Sequence, residues 1–548
     1  MKKTALLIIG LASFMLYSCQ TQPEVEQYTI EQFMDNVSIS GKSFSIDETK
    51  ILFASNESGI YNAYELDLET GEKTQLTNRE ESTFTQGYLD ESGRILLASD
   101  NGGNEIYHIY LRKTDGTIED LIPFEGARVT FNGWSYDRES FYFQSNNRDQ
   151  RFSDLYEMTI DDLSYEMIYE NTEGYDVGFL SVDKKWLTLT KTITTTNNNM
   201  YLLNRENGEV KLLSEHEGDI SYRPVDFSLD SKFLYYLTDE NSEFTYLMKM
   251  NLETGEKEKV YETSWDIMYA YHTYDESYRI MGINWDSQTV IKVFDMKTGE
   301  EVALPDFEGL NITSVSVSRS ENLMAFNASS SRQTSNLYVY NFESGEYKQL
   351  TNTLNPEINP EHLVDGKVVR YKSFDGLEIP AVLYVPHNAS KKNKVPAMVH
   401  VHGGPGGQAR IGYRAHIQYL VNHGYAIIDV NNRGSSGYGK TFYSLDDRKH
   451  GDHDLKDCIY AKNYLEGTEK VDPEKIGIMG GSYGGYMTAA ALTFAPEEFA
   501  VGVNIFGVTN WLRTLKSIPS WWESFRNALY AEMGDPYQDS TFLYNKSP

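Results

Sequence analysis

Between about residue 36 and about residue 355, apolar and polar positions alternate in short runs, most ending in an acidic or polar tight turn closed by glycine. Alternation with a period of two gives each run the two unlike faces of a strand. The copies are Tyr61-Asn-Ala-Tyr-Glu-Leu-Asp-Leu-Glu-Thr-Gly71, Glu105-Ile-Tyr-His-Ile-Tyr-Leu111 on to Gly116, and Asp154-Leu-Tyr-Glu-Met-Thr-Ile160. They continue with Asn199 to Gly208, Phe244 to Gly255, Val290 to Gly299 and Asn336 to Gly345. Aligned on the glycine, the unit recurs about every 45 residues, and the copy at 154–160 lacks it. A second hairpin lies between copies, as in Ser45-Ile-Asp-Glu-Thr-Lys-Ile-Leu-Phe-Ala-Ser55 and Leu89-Asp-Glu-Ser-Gly-Arg-Ile-Leu-Leu-Ala-Ser99. Two hairpins per period predict a four-stranded blade. Seven copies predict an N-terminal β-propeller of about seven blades over 36–355, in preference to an array of β-sandwiches.

The pattern changes at Thr353-Leu-Asn-Pro-Glu-Ile-Asn-Pro360, a linker rich in proline and asparagine. Beyond it, Val368-Val-Arg-Tyr371 and Ile379-Pro-Ala-Val-Leu-Tyr-Val385 read as antiparallel lead-in strands. The short apolar runs at 397–401, 426–430, 476–479 and 501–506 are separated by helical stretches. Runs buried on both faces with helical crossovers predict a doubly wound α/β domain over 361–548.

Composition adds three points. A chain of 548 residues has room for two or more large cores, and 40 tyrosines against 7 tryptophans suit a strand-rich protein. A net charge of -31 excludes a nucleic-acid partner and a polybasic membrane patch. At the N-terminus, Met1-Lys2-Lys3 precedes a short uncharged apolar run at 4–16, too short to span a bilayer and patterned as a signal peptide over 1–18. Leu16-Tyr-Ser-Cys19 resembles the bacterial lipoprotein processing site, with Tyr17 bulkier than usual. The resemblance implies that Cys19 is lipidated, against a plain secretory signal with an incidental cysteine. The expected protein is therefore exported and anchored in a membrane facing the periplasm or cell exterior, with residues 19–35 as a polar tether. Cys458 is the only other cysteine, so no intramolecular disulfide is expected once Cys19 is acylated.

The candidate chemistry centres on Lys475-Ile-Gly-Ile-Met479 leading into Gly480-Gly-Ser-Tyr-Gly-Gly-Tyr486, followed by strong helix formers. Strand, sharp glycine turn and helix are the context in which Gly-x-Ser-x-Gly presents a nucleophile, here Ser482. Acyl transfer also needs oxyanion donors, a base and a group that orients the base. His402-Gly-Gly-Pro-Gly-Gly407 follows the strand at 397–401, where backbone N–H groups can approach a substrate oxygen. The expected donors are the N–H groups of Tyr483 and Gly404, with Gly403 the alternative to Gly404. A phosphate cradle is not supported, because the loop has neither a P-loop lysine nor an acid at dinucleotide spacing. No cofactor or metal is expected: His450-Gly-Asp-His453 has ligand-like spacing but reads as a solvated loop. His402 is expected to shape its loop, and Arg433 to anchor its turn to nearby carboxylates. Trp511, Trp521, Trp522, Phe525 and Tyr530 read equally as a specificity pocket or as a helical cap on the sheet.

Together, His402-Gly-Gly-Pro405, Asn432-Arg-Gly-Ser-Ser-Gly-Tyr-Gly439 and Gly480-Gly-Ser-Tyr-Gly-Gly-Tyr486 resemble the prolyl oligopeptidase family of serine peptidases, nearest its acylaminoacyl-peptidase and dipeptidyl-peptidase-like branch. The resemblance implies an α/β-hydrolase domain behind the propeller, peptide substrates, an acyl-enzyme on Ser482 and access gated by the propeller. One departure stands out. In this fold the acid and the histidine follow the serine, yet no histidine occurs after His453. The expectation is therefore a hydrolase domain incomplete at its C-terminus, with the triad Asp and His beyond Pro548 or on a complementing C-terminal fragment. This chain alone would then be inactive. The rival expectation is a propeller-based binding protein with a vestigial hydrolase domain, and a weaker one is an esterase on the same scaffold.

Overall fold

The computed structural model describes residues 25–307 and 309–548. Cys19 and the signal segment lie outside the described residues. Seven small antiparallel sheets occupy the first part of the chain, six of four strands and one, from Ile267 to Asp295, of three. Each sheet is a continuous stretch of chain. The ring closes where the first blade meets the last: Ala325 and Leu337 pack with Ile51, Phe53 and Leu66, and Lys42 Nζ reaches Ser314 Oγ at 2.6 Å and Asn327 Oδ1 at 3.0 Å.

The recurring turn has a local cause. In the blade from Tyr222 to Tyr261, Asn251 Oδ1 accepts the N–H groups of Glu253 and Thr254, both at 2.9 Å. Gly255 then takes φ +76 to reverse the chain. That left-handed conformation carries a penalty for any residue with a Cβ, which is why the period is marked by glycine. Asp67, Asp295 and Asn341 make the same side-chain cap in their own blades.

The second domain is built on one six-stranded sheet. Its order is Lys367–Lys372, Glu378–Tyr384, Ala426–Val430, Val395–Val401, Val471–Gly481 and Gly502–Ile505. The first two strands join antiparallel and the rest run parallel. Val399, Val401, Ile428, Val430 and Ile478 are fully buried at the sheet centre, at about 25 cal/mol for each Å² of apolar surface removed from water. Gly502–Ile505 is the outer strand, with Val503 and Phe506 exposed beside it.

The expected tether is corrected in part. Ile30–Met34 is a helix opened by a capping box at Thr29. Tyr28 and Phe33 are buried beside Ile358 and Leu363, and Tyr413 and Tyr419 of the hydrolase domain pack against them. Two aromatic side chains in a polar stretch suffice to dock it. Among the described residues, no helix is long and apolar enough to cross a membrane.

Candidate active site

Ser482 stands between the strand Val471–Gly481 and the helix Tyr483–Phe494 with φ 55 and ψ -117. A non-glycine residue in this region stores roughly 1–3 kcal/mol of strain, held there by its surroundings. The glycines around it are sterically required. A Cβ on Gly484 would lie 2.0 Å from the Val401 carbonyl oxygen, and one on Gly480 would lie 2.5 Å from the same atom. The Ser482 N–H donates to the Ile505 carbonyl at 3.1 Å. Its side chain is exposed, and among the described residues its Oγ has no hydrogen-bond partner.

The loop after Val401 crosses directly over the serine. A Cβ on Gly403 would sit 3.4 Å from Ser482 Cβ and 3.9 Å from its Oγ. His402 shapes this loop, as expected: its Nδ1 lies 2.8 Å from the Gly403 carbonyl oxygen and its Nε2 lies 2.7 Å from Ser435 Oγ. Because the peptide is planar and trans, the Gly404 N–H points away from the carbonyl that faces His402. Tyr483 is the first residue of its helix, so its N–H has no acceptor within the helix. The elbow therefore brings Gly403 onto Ser482 and Tyr483, while Gly404 is turned against Gly406 and Gly407 of its own loop.

No described histidine reaches Ser482. His400 binds Asp429 at 2.7 Å. His453 packs on Phe374 near Arg433. Arg433 is an anchor, as expected, gripping Asp457 through two nitrogens at 2.9 Å and Asp375 at 3.0 Å.

His450 corrects the solvated-loop expectation. It is 3% exposed, and its Nδ1 lies 2.6 Å from the Tyr483 hydroxyl, which also donates to Asp454. Asp446 and Glu532 complete a buried group beneath the elbow. Burial, with Asp454 and Glu532 nearby, pushes Asp446 up to about 9. Burial likewise lifts Glu532 to about 7 and Asp454 to about 6, although the Tyr483 hydroxyl opposes the latter, and it lowers His450 to about 3. Sequence reasoning missed this group; the four-residue steps 446, 450 and 454 were its only local signal. Trp511 packs edge-on against Tyr486 at 5.0 Å and lies 6.1 Å from the Tyr483 ring.

A cavity of about 820 Å³ opens between the domains. Asp239, Glu243 and Asp266 line it from the propeller, and Gln408, Arg410 and Lys440 from the hydrolase domain. Arg410 ties the walls together, reaching Asn284 Oδ1 and Thr289 Oγ1 at 2.7 Å.

A serine on a strained strand-to-helix turn, covered by a glycine loop in a mostly parallel sheet, defines an α/β-hydrolase nucleophile site, here behind a seven-bladed propeller. Residues 411–546 match the prolyl oligopeptidase family profile, and residues 80–353 match that of the prolyl oligopeptidase N-terminal β-propeller domain. The chain belongs to the prolyl oligopeptidase family of serine peptidases. It is 26% identical over 491 residues to dipeptidyl aminopeptidase BIII of Pseudoxanthomonas mexicana, covering 87% of this chain and 70% of that one. It is 25% identical over 369 residues to dipeptidyl peptidase family member 6 of Caenorhabditis elegans, covering 61% of this chain and 49% of the relative. The chain thus spans about half the length of the second relative. A puromycin-hydrolyzing peptidase of Mycobacterium tuberculosis shares the fold, with a TM-score of 0.79 at 16% identity over 95% of this chain and 84% of that one.

Proposed function

We propose that this chain is the propeller and the nucleophile-bearing part of a serine peptidase that hydrolyses oligopeptides through an acyl-enzyme on Ser482. The observation that carries the reading is the Ser482 turn itself, with its side chain exposed beside Gly403. The Tyr483 and Gly404 N–H groups would hold the oxyanion, with Gly403 the alternative to Gly404. The acid and the base would come from outside these 548 residues, either on further chain or on a complementing fragment. Two features support this: among the described residues Ser482 Oγ has no basic partner, and the outer strand Gly502–Ile505 leaves Val503 and Phe506 exposed where further strands would pair.

Peptides would occupy the cavity between the domains, as the names of the dipeptidyl peptidase relatives suggest. The propeller would restrict access. Tyr136 of the third blade stacks on Tyr274 of the sixth at 4.3 Å, within a cavity lined by residues from six blades. Export on a Cys19 lipid anchor completes the proposal, and metabolic labelling with a fatty acid that disappears in Cys19→Ser tests that part.

The central experiment is fluorophosphonate labelling of the native protein from its source membrane, with the adduct mapped by mass. The expected result is a Ser482 adduct on a species that also contains an aspartate and a histidine following Ser482. A native species ending at Pro548 that resists labelling would overturn the peptidase reading and leave a propeller-based binding protein.

A further inference from the structure

The buried group beneath the elbow has donors in excess of its hydrogen bonds. Asp446, His450 and Asp454 each present a ligand atom, and the three atoms lie within 4.8 Å of one another. His450 Nδ1 is 3.4 Å from Asp446 Oδ2 and 4.0 Å from Asp454 Oδ2. Donors sharing one ion through bonds of about 2.0–2.4 Å stand this far apart. The Tyr483 oxygen touches both His450 and Asp454, and Glu532 lies 3.9 Å from the far ring nitrogen of His450.

Two further facts point to a ligand. Asp446 Oδ2 and His450 Nε2 are buried without any hydrogen-bond partner, on residues only 2% and 3% exposed. Unpaired buried acceptors of this kind are costly. Moreover, no lysine or arginine lies within 4.0 Å of the three carboxylates among the described residues. Lys546 is near enough for its charge to lower His450, but it pairs with none of the three carboxylates. Three carboxylates and an imidazole enclosed without a counter-charge match a dication.

We propose that Asp446, His450 and Asp454 bind one divalent transition-metal ion, zinc or manganese, with the Tyr483 hydroxyl hydrogen-bonded to two of the three donors. Imidazole with two carboxylates is a mixed nitrogen and oxygen set, which favours these ions over calcium or magnesium. The ion takes up the free Asp446 Oδ2 and fixes the first turn of the nucleophile helix through Tyr483. Glu532 stands behind His450, beyond hydrogen-bond reach of its ring at 3.9 Å. The site lies behind the elbow, away from the exposed face of Ser482, so its role is structural.

The test uses the full 548-residue chain, purified from medium supplemented with zinc and manganese and passed through chelator-free buffer. Elemental analysis should find about one ion per chain, and Asp446→Asn or His450→Gln should lower the content at least about tenfold. Asp447→Asn, one residue outside the set, should keep the ion and so controls for folding. Adding zinc or manganese chloride to chelator-stripped protein should raise the thermal midpoint by about 3 °C or more. Fewer than about one ion per ten chains in the wild type, with no midpoint shift from either salt, would overturn the proposal and leave a proton-sharing cluster. The wild-type count decides the matter even if the substituted chains fail to fold.

Discussion

The two domains solve the same packing problem in opposite ways. The propeller repeats one small solution, in which most blades reverse their outer hairpin on a glycine, as the Asn251-capped turn does at Gly255 with open space around it, and the third blade uses Leu163 instead. Its ion pairs are largely at the surface, as with Lys249 and Glu258. The hydrolase domain concentrates its constraints around one turn. Glycines touch backbone there, a serine is strained, and charges are buried in pairs behind the sheet. Damage to the propeller should stay local, whereas damage near Ser482 should spread through the sheet.

The largest effect that would separate the domains is Gly484→Ala. The new methyl would stand 2.0 Å from the Val401 carbonyl oxygen, so the helix must leave the sheet. We expect a loss of about 4 kcal/mol or more, the range of severe core damage. Calorimetry would read this as a collapsed hydrolase transition, and a variant within about 1 kcal/mol of wild type would show that the elbow is looser than described. Next comes Arg433→Met. It strands the fully buried Asp457 with only Ser373 and backbone for company, and should cost about 3–5 kcal/mol. Arg433→Met/Asp457→Leu should recover most of that loss, which a simple packing defect would not allow.

A smaller effect should appear with pH. Burial alone would raise Asp429, but Arg414 and His400 overcome it and hold the carboxyl down at about 2, below its ordinary 3.8. A depressed folded value means that the contribution is present in full above about pH 4 and is lost as the pH falls through about 2. It amounts to about 2 kcal/mol. Denaturant titrations at pH 6 and pH 2 should show it, and Asp429→Asn should flatten the difference.

The same contrast explains what could be read from the chain. The propeller period was legible because the turn that marks it is local: in most blades a capping Asp or Asn, then glycine four residues on. The hydrolase strands were legible as doubly buried runs, and Ser482 because the steric demands on Gly480 and Gly484 are written into adjacent residues. The buried group was not, since Asp446 ends a three-residue 3-10 helix, His450 lies in a turn, and both meet Tyr483 and Glu532 only through the fold. Nor was the docking of Tyr28 and Phe33, because a helix of five residues has too few positions to show a period. The cavity between the domains is set by how the two bodies meet, which no single stretch records.

The smallest prediction is the sharpest test of the contrast, because it makes the same chemical change in the other domain. Gly255 also takes a glycine-favouring backbone, at φ +76, yet a Cβ added there meets nothing within 4 Å. Gly255→Ala therefore introduces conformational strain without a clash, at a cost of about 1 kcal/mol. Its neighbours lose nothing, since the Asn251 cap uses only backbone N–H groups of the same turn. Calorimetry should show a small fall in the propeller transition and an unchanged hydrolase transition. If Gly255→Ala proved as damaging as Gly484→Ala, the blades would be coupled around the ring as tightly as the elbow is to its sheet.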